Sequence, residues 1–171
     1  MKSRLILIIA LFGIFSNCIP QQELNWEKWE WLIGEWQGEG SGQPGQGGGT
    51  FSFAFDLDKN IIVRKSHSEY PASENRPAVI HDDLMIVYPD FAGNPTKAIY
   101  FDNEGHTINY TISYPEYSII LTSEKVSDIP IFRLTYTLLD DATVNTKFEI
   151  SQDGEKFSIY IEGVSSKAET H

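Results

Sequence analysis

The chain has 171 residues, of which 41% are hydrophobic, 22% charged and 13% aromatic, the make-up of one ordinary globular domain with a sizeable core. Its formal charge is −11, which repels phosphate backbones and anionic membrane surfaces and excludes nucleic acid as a partner. Cys18 is the only cysteine, so no intramolecular disulfide forms.

Residues 1–18 read as an export signal. Lys2 and Arg4 make a basic start, and "LILIIALFGIF" follows as an apolar stretch too short for a comfortable membrane span. That leader holds two basic residues and no acid, so the remaining chain carries −13. "IFSNC" places Cys18 directly after the apolar stretch and resembles a bacterial lipobox, in which the cysteine is lipidated. Asn17 and Phe15 depart from the small residue and leucine usual there. Two destinations follow: an envelope lipoprotein of the periplasm or outer membrane, anchored through Cys18, or a freely secreted protein.

Next comes "QQELNWEKWEWLIGEW". Trp26, Trp29 and Ile33 recur at i, i+3 and i+7 among Glu27, Lys28 and Glu30, predicting a short amphipathic helix that ends at Gly34. Its aromatics read as a core plug. From Gly34 onward no helical period remains. "TFSFAF" alternates Phe51, Phe53 and Phe55 onto one face. "IIVRKSHSEY" follows the turn "DLDKN", and "IHDDLMIVYPD" carries Leu84, Ile86 and Tyr88 on its apolar face. "TKAIYFD", "TINYTISY", "YSIILTSE", "IFRLTYTLL", "TVNTKFEI" and "FSIYIEG" complete the series. This makes about ten strands joined by short turns, with no βαβ pattern. The expectation is an all-β fold: an antiparallel up-and-down barrel of about ten strands with a short N-terminal helix plug, over residues 24–167. Closure removes the edges that so long a sheet would expose.

Few motifs support chemistry. Gly40, Gly42 and Gly45 match a dinucleotide-binding glycine pattern, but no helix follows to face a pyrophosphate. Asp56, Asp58 and Asn60 resemble the start of a calcium loop, yet Ile61 and His67 stand where the loop needs glycine and glutamate. Asp82–Asp83 and Asp140–Asp141 read as strand-end or turn charges, and neighbours on a strand point to opposite faces. His67, His81 and His106 lie on separate strands without metal-ligand spacing. The reading therefore assigns no metal, no cofactor and no catalytic set.

The run Gly34-Glu-Trp36-Gln-Gly38-Glu-Gly40-Ser-Gly42 after a short helix resembles the opening of calycin-type barrels. Lipocalins and fatty-acid-binding proteins begin with a related G-x-W, and the repeated glycines are similar to nitrobindin-type haem barrels and to uncharacterised bacterial exported relatives. "FDNEGHTINYTIS" and "RLTYTLLDDATVNTKFEISQDGEKFSIYIEG" look like late strands of those relatives. The resemblance implies a barrel with an internal cavity. Haem does not carry over, because nitrobindins hold iron through a histidine on a late strand and "EKFSIYIEG" has none. Independently of any family, glycine permits a sharp bend and a close approach in the first strand, and Trp36 closes the barrel end.

The functional expectation is an exported barrel binding a small apolar or amphipathic molecule, with contact candidates Trp36, Arg64, His67, His106, Tyr110 and Tyr136. Arg133 falls opposite Phe132, Leu134 and Tyr136 and is expected outside. Arg64 is ambiguous and favours the surface or rim; an inward Arg64 requires an anionic ligand or an internal acid. Two other classes stay open. One is a ligand-free structural or partner-binding envelope protein; the other is an isomerase or lyase using His67 or His106 with Glu69. Contact with a membrane is expected only through the lipid anchor.

Overall fold

A computed structural model of the chain describes residues 24–38, 48–72 and 77–168. Ten antiparallel strands follow one another: β1 Gly34–Gly38, β2 Gly48–Asp56, β3 Ile61–Tyr70, β4 Val79–Tyr88, β5 Lys97–Asp102, β6 Thr107–Ser113, β7 Ser118–Ser123, β8 Ile131–Asp140, β9 Thr143–Ser151 and β10 Ser158–Lys167. Each pairs with the next, and β10 returns to β1 with Trp36 opposite Lys167, closing the barrel. The expected number, order and closure of strands are all present. Cys18, Gly40 to Gly45 and His171 lie outside the described residues.

The plug differs in kind from the expectation. Glu27–Leu32 form a six-residue 3-10 helix, and Ile33 is already extended. Three residues per turn align Trp26, Trp29 and Leu32 on one stripe instead of Trp26, Trp29 and Ile33. Those three are buried, Trp29 and Leu32 completely. Each of the three buried indoles of this region finds an acceptor: Trp26 donates to Lys59 O (2.8 Å), Trp29 to Tyr114 Oη (2.8 Å) and Trp36 to Leu32 O (2.9 Å). Large apolar rings thus close one end without orphaning a polar group.

Two glycines in this region have specific tasks. Gly34 adopts φ +128° where helix passes to strand, a conformation other residues rarely hold. At Gly49, an added Cβ would lie 2.4 Å from His67 O. The tightest approach is therefore between β2 and β3, with a looser one in the first strand, where a Cβ at Gly38 would lie 3.3 Å from Gly49 O.

Alternation sorts the side chains into two sets. Phe51, Phe53, Tyr110, Ile112, Leu134, Tyr136 and Val144 point inward and are buried. On β4 the expected face is reversed. Met85 and Val87 are fully buried, whereas Leu84, Ile86 and Tyr88 are only partly so. Both faces of that strand are apolar, so periodicity alone could not orient it. Asp82 and Asp83 also lie within β4, not at its end.

Candidate functional site

The strand directions place the plug at one end of the barrel and the β2–β3 partners Gly48 and Glu69 at the other. The plug end is sealed by Trp29, Leu32 and Trp36. Toward the opposite end the inward side chains Ile108, Tyr100, Phe132 and Phe148 pack on the core but keep part of their surface exposed. Phe132 and Phe148 stack with ring centroids 5.9 Å apart, and Tyr160 meets Phe148 edge-on at 6.2 Å. Among the described residues, the barrel is capped at one end and carries a partly exposed aromatic lining toward the other.

Between plug and mouth stands a polar layer. Arg64 of β3 is buried and donates from Nη1 to Asp83 Oδ1 of β4. The expectation of a surface or rim arginine is overturned. Val63 and Lys65 share the outward face, so Arg64 and Ile62 face in. The condition attached to an inward arginine is met by an internal acid, Asp83. Burial pushes the Asp83 carboxyl above the usual range, with Arg64 countering part of that shift. For the guanidinium, burial acts against the charge, but Tyr136 and Asp83 outweigh it and hold its pKa above the ordinary value. Arg64 also sits 5.7 Å above the Phe51 ring, and Tyr136 contacts both Phe51 and Phe53 at 5.7 and 5.3 Å.

Three buried polar atoms of this layer, Arg64 Nε, Tyr136 Oη and Thr146 Oγ1, make no well-formed hydrogen bond, although the Arg64 and Tyr136 side chains stand close enough to influence each other as hydrogen-bonding groups. Burial pushes the Tyr136 phenol up to about 12, so its proton stays on at neutral pH. Tyr136 and Thr146 are directly opposed on β8 and β9, and Thr146 in turn opposes Gly163 on β10. All three share the inward face. A Cβ added at Gly163 would meet nothing within 4 Å. Gly163 is itself exposed, so the open space lies on the solvent side of the layer, while buried polar groups without well-formed hydrogen bonds, as at Tyr136 and Thr146, are uncommon.

The other expected contacts divide. Tyr110 is buried in the interior, edge-on to Tyr100 at 6.5 Å, and desolvation raises its pKa. Trp36 is inward but stacks on Phe51 at 6.1 Å and is 1% exposed, so it serves the core. His67 points outward, where its imidazole meets Asp82 Oδ1 at 2.6 Å and Glu69 Oε1 at 3.2 Å. Those two carboxylates raise its pKa. A pairing of His67 with Glu69 exists, but on the outer wall and away from the interior. His106 lies at the mouth, 62% exposed at its side chain, with Nδ1 2.8 Å from Asp102 Oδ2. Arg133 is on the outer wall as expected, bound through two nitrogens to Glu149 at 2.8 and 3.0 Å.

His81 and Tyr100 join His106 at the mouth. His81 Nε2 is 2.9 Å from Tyr100 Oη, which lies 3.3 Å from Asp102 Oδ2. Burial would raise the Asp102 carboxyl, but the backbone and ring of His106 and the Glu104 amide outweigh it and hold it low. The sequence pattern set His81 and Asp83 aside and did not single out Tyr100, Asp102, Thr146 or Gly163. A signal existed: His81 and Asp83, and likewise Tyr100 and Asp102, are two apart and share a strand face. With the orientation of β4 reversed, that signal pointed outside.

A shallow concavity of about 670 Å³ lies on the outer face of β1 to β5, beside Gln37, Ser52, Lys65, His67, Leu84 and Phe101. It is open to solvent and none of the orphaned groups lines it, so the interior layer carries the functional reading.

No known family profile matches this sequence, and no curated protein does. Among solved structures, the chain is similar to the crystal structure of Rv2717c from M. tuberculosis, with a TM-score of 0.55 and 12% identity over 86% of this chain and 100% of that one. At that identity the likeness concerns the fold alone.

Proposed function

We propose that this protein is an exported, calycin-type barrel that binds one small, uncharged amphipathic molecule through its open end. The observation that carries the reading is the trio Arg64 Nε, Tyr136 Oη and Thr146 Oγ1, buried on the inward face without well-formed hydrogen bonds, with Gly163 paired to Thr146 and open around its Cβ position. Leaving such groups unpaired costs about 1–3 kcal/mol each. A ligand head with a carbonyl or hydroxyl accepts from Arg64 and pairs with the two hydroxyls. Its apolar body lies against Phe132, Phe148 and Ile108, which keep exposed surface near the mouth. Apolar walls with a few convergent polar groups are the usual make-up of small-molecule sites.

Charge argues for a neutral head. Arg64 is already balanced by Asp83, and Asp102 and Glu104 stand at the mouth. A carboxylate ligand would enter beside these acids with no spare cation. The test is a thermal-shift screen pairing neutral alcohols, ketones and monoacylglycerols with fatty acids of matched chain length. The neutral series should raise Tm and the acids should not; no shift with any neutral compound would sink the reading.

Export rests on the leader and on Cys18. Cells fed a labelled fatty acid should incorporate label into the wild type and not into Cys18→Ser. Equal labelling of both forms contradicts the anchor.

A further inference from the structure

The mouth of the barrel gathers four potential metal ligands from β4, β5 and the turn that follows it. One donor atom each from His81, Asp102 and Glu104 lies within 4.8 Å of the other two. His81 Nδ1 is 3.7 Å from Glu104 Oε1, and His106 Nδ1 is 3.7 Å from Glu104 Oε2 and 2.8 Å from Asp102 Oδ2. We propose that this cluster binds a divalent transition-metal ion of the zinc type, with His81, Asp102 and Glu104 as ligands and His106 as the fourth.

The hydrogen bonds around the cluster aim the donor atoms. A carboxylate can only accept, so Tyr100 donates to Asp102 Oδ2 and accepts from His81 Nε2–H. In neutral His81 the lone pair is then on Nδ1, the nitrogen facing Glu104. This is how an outer partner commonly fixes the tautomer of a metal-bound imidazole. On Asp102, Oδ1 accepts the backbone N–H groups of Glu104 (3.0 Å) and His106 (2.9 Å). That fixes the carboxylate within the turn and leaves Oδ2 for the cluster.

Two imidazoles and two carboxylates suit zinc and its first-row neighbours better than magnesium or calcium, which prefer oxygen alone. Donors about 2.1 Å from a tetrahedral ion lie roughly 3.4 Å apart, so the pairs at 3.7 Å and those reaching up to 4.8 Å have to close while the 2.8 Å His106–Asp102 pair opens. Glu104 and His106 are exposed enough to move, at 52% and 62%. The ion takes the place of the proton shared between His106 and Asp102, and the two carboxylates balance its charge. The chain's acidic field draws cations to the mouth. Sequence spacing gives no hint of this, because His81 and His106 meet only when β4, β5 and β6 pair.

The test is calorimetric titration of the whole, chelator-treated protein with zinc at about pH 7.5, where ordinary imidazoles are mostly neutral. Cobalt absorption gives a second, spectroscopic readout. One ion per chain is expected, with His81→Ala and His106→Ala each lowering affinity at least roughly tenfold and weakening the visible cobalt bands. His67→Ala, on the outer wall, should bind as the wild type does. Absence of zinc uptake, unchanged affinity in both mouth variants, or an equal loss in His67→Ala overturns the site. Should His81→Ala fail to fold, the more exposed His106→Ala gives the same comparison. The metal site stands apart from the interior pocket: uptake of zinc without any small molecule would keep it and reject the ligand reading.

Discussion

Arg64 and Asp83 form an ion pair inside the barrel, with side chains 8% and 6% exposed. Such a pair need not stabilise the fold, since desolvation offsets much of the attraction, but breaking it strands a buried charge. Asp83→Ala should therefore cost about 3–5 kcal/mol. Arg64→Met combined with Asp83→Leu should cost much less than Asp83→Ala alone. Urea unfolding of the single and double variants checks this, and a double variant as weak as the single would count against the buried pair.

Tyr136 separates stability from binding. Its hydroxyl makes no well-formed hydrogen bond in the folded barrel and has only the Arg64 side chain as a weak polar neighbour, so Tyr136→Phe should change Tm little. The same change should weaken a bound neutral amphiphile by about 0.5–1.5 kcal/mol, the usual worth of one neutral hydrogen bond. Paired thermal and calorimetric measurements on one variant read both effects. A large loss of stability would mean that the hydroxyl is satisfied in solution.

The plug gives a purely structural prediction. Trp29 is fully buried, meets Phe53 at 5.7 Å and donates to Tyr114 Oη. Trp29→Ala should cost about 3–5 kcal/mol. Tyr114→Phe removes the indole's acceptor together with the hydroxyl's own bond to Pro95 O, leaves the ring packing in place, and should cost about 1–3 kcal/mol. Chemical denaturation ranks the two, and the reverse order would place the plug's value in its hydrogen bond instead of its packing.

His67 supplies the pH dependence. Hydrogen bonds donated by its ring to Asp82 and Glu69 hold its pKa above the ordinary 6.5 on the exposed outer wall. A raised folded-state value means its contribution to stability is complete below 6.5 and fades as pH rises through the folded value. An NMR titration should find the imidazole above 6.5 in the wild type and lower in Asp82→Asn. An unshifted wild-type titration contradicts the outer-wall pairing.

The architecture was legible in the sequence because nine of the strands carry clear alternation or strong turn signals, and because aromatics on "TFSFAF", "TINYTISY" and "IFRLTYTLL" mark the inward face. Arg133 and Tyr136 were oriented correctly for the same reason. Orientation failed where both faces are apolar, as at Ile61 to Val63 and Leu84 to Val87. There the inward set is decided by pairing with neighbours, Arg64 opposite Met85 and Phe53. The polar layer followed that failure, since Asp83 and His81 could be placed only once β4 was turned the right way. The mouth cluster depends on contacts between strands, and no single-strand period encodes it.

Native mass spectrometry of the protein purified from its own host shows whether the interior is occupied. The wild type should carry a non-covalent small-molecule adduct. Gly163→Leu, which fills the open space on the inward face of β10, should fold and appear without it. A bare wild-type mass that stays bare against a broad panel of neutral amphiphiles, or an adduct undiminished in Gly163→Leu, would contradict the account.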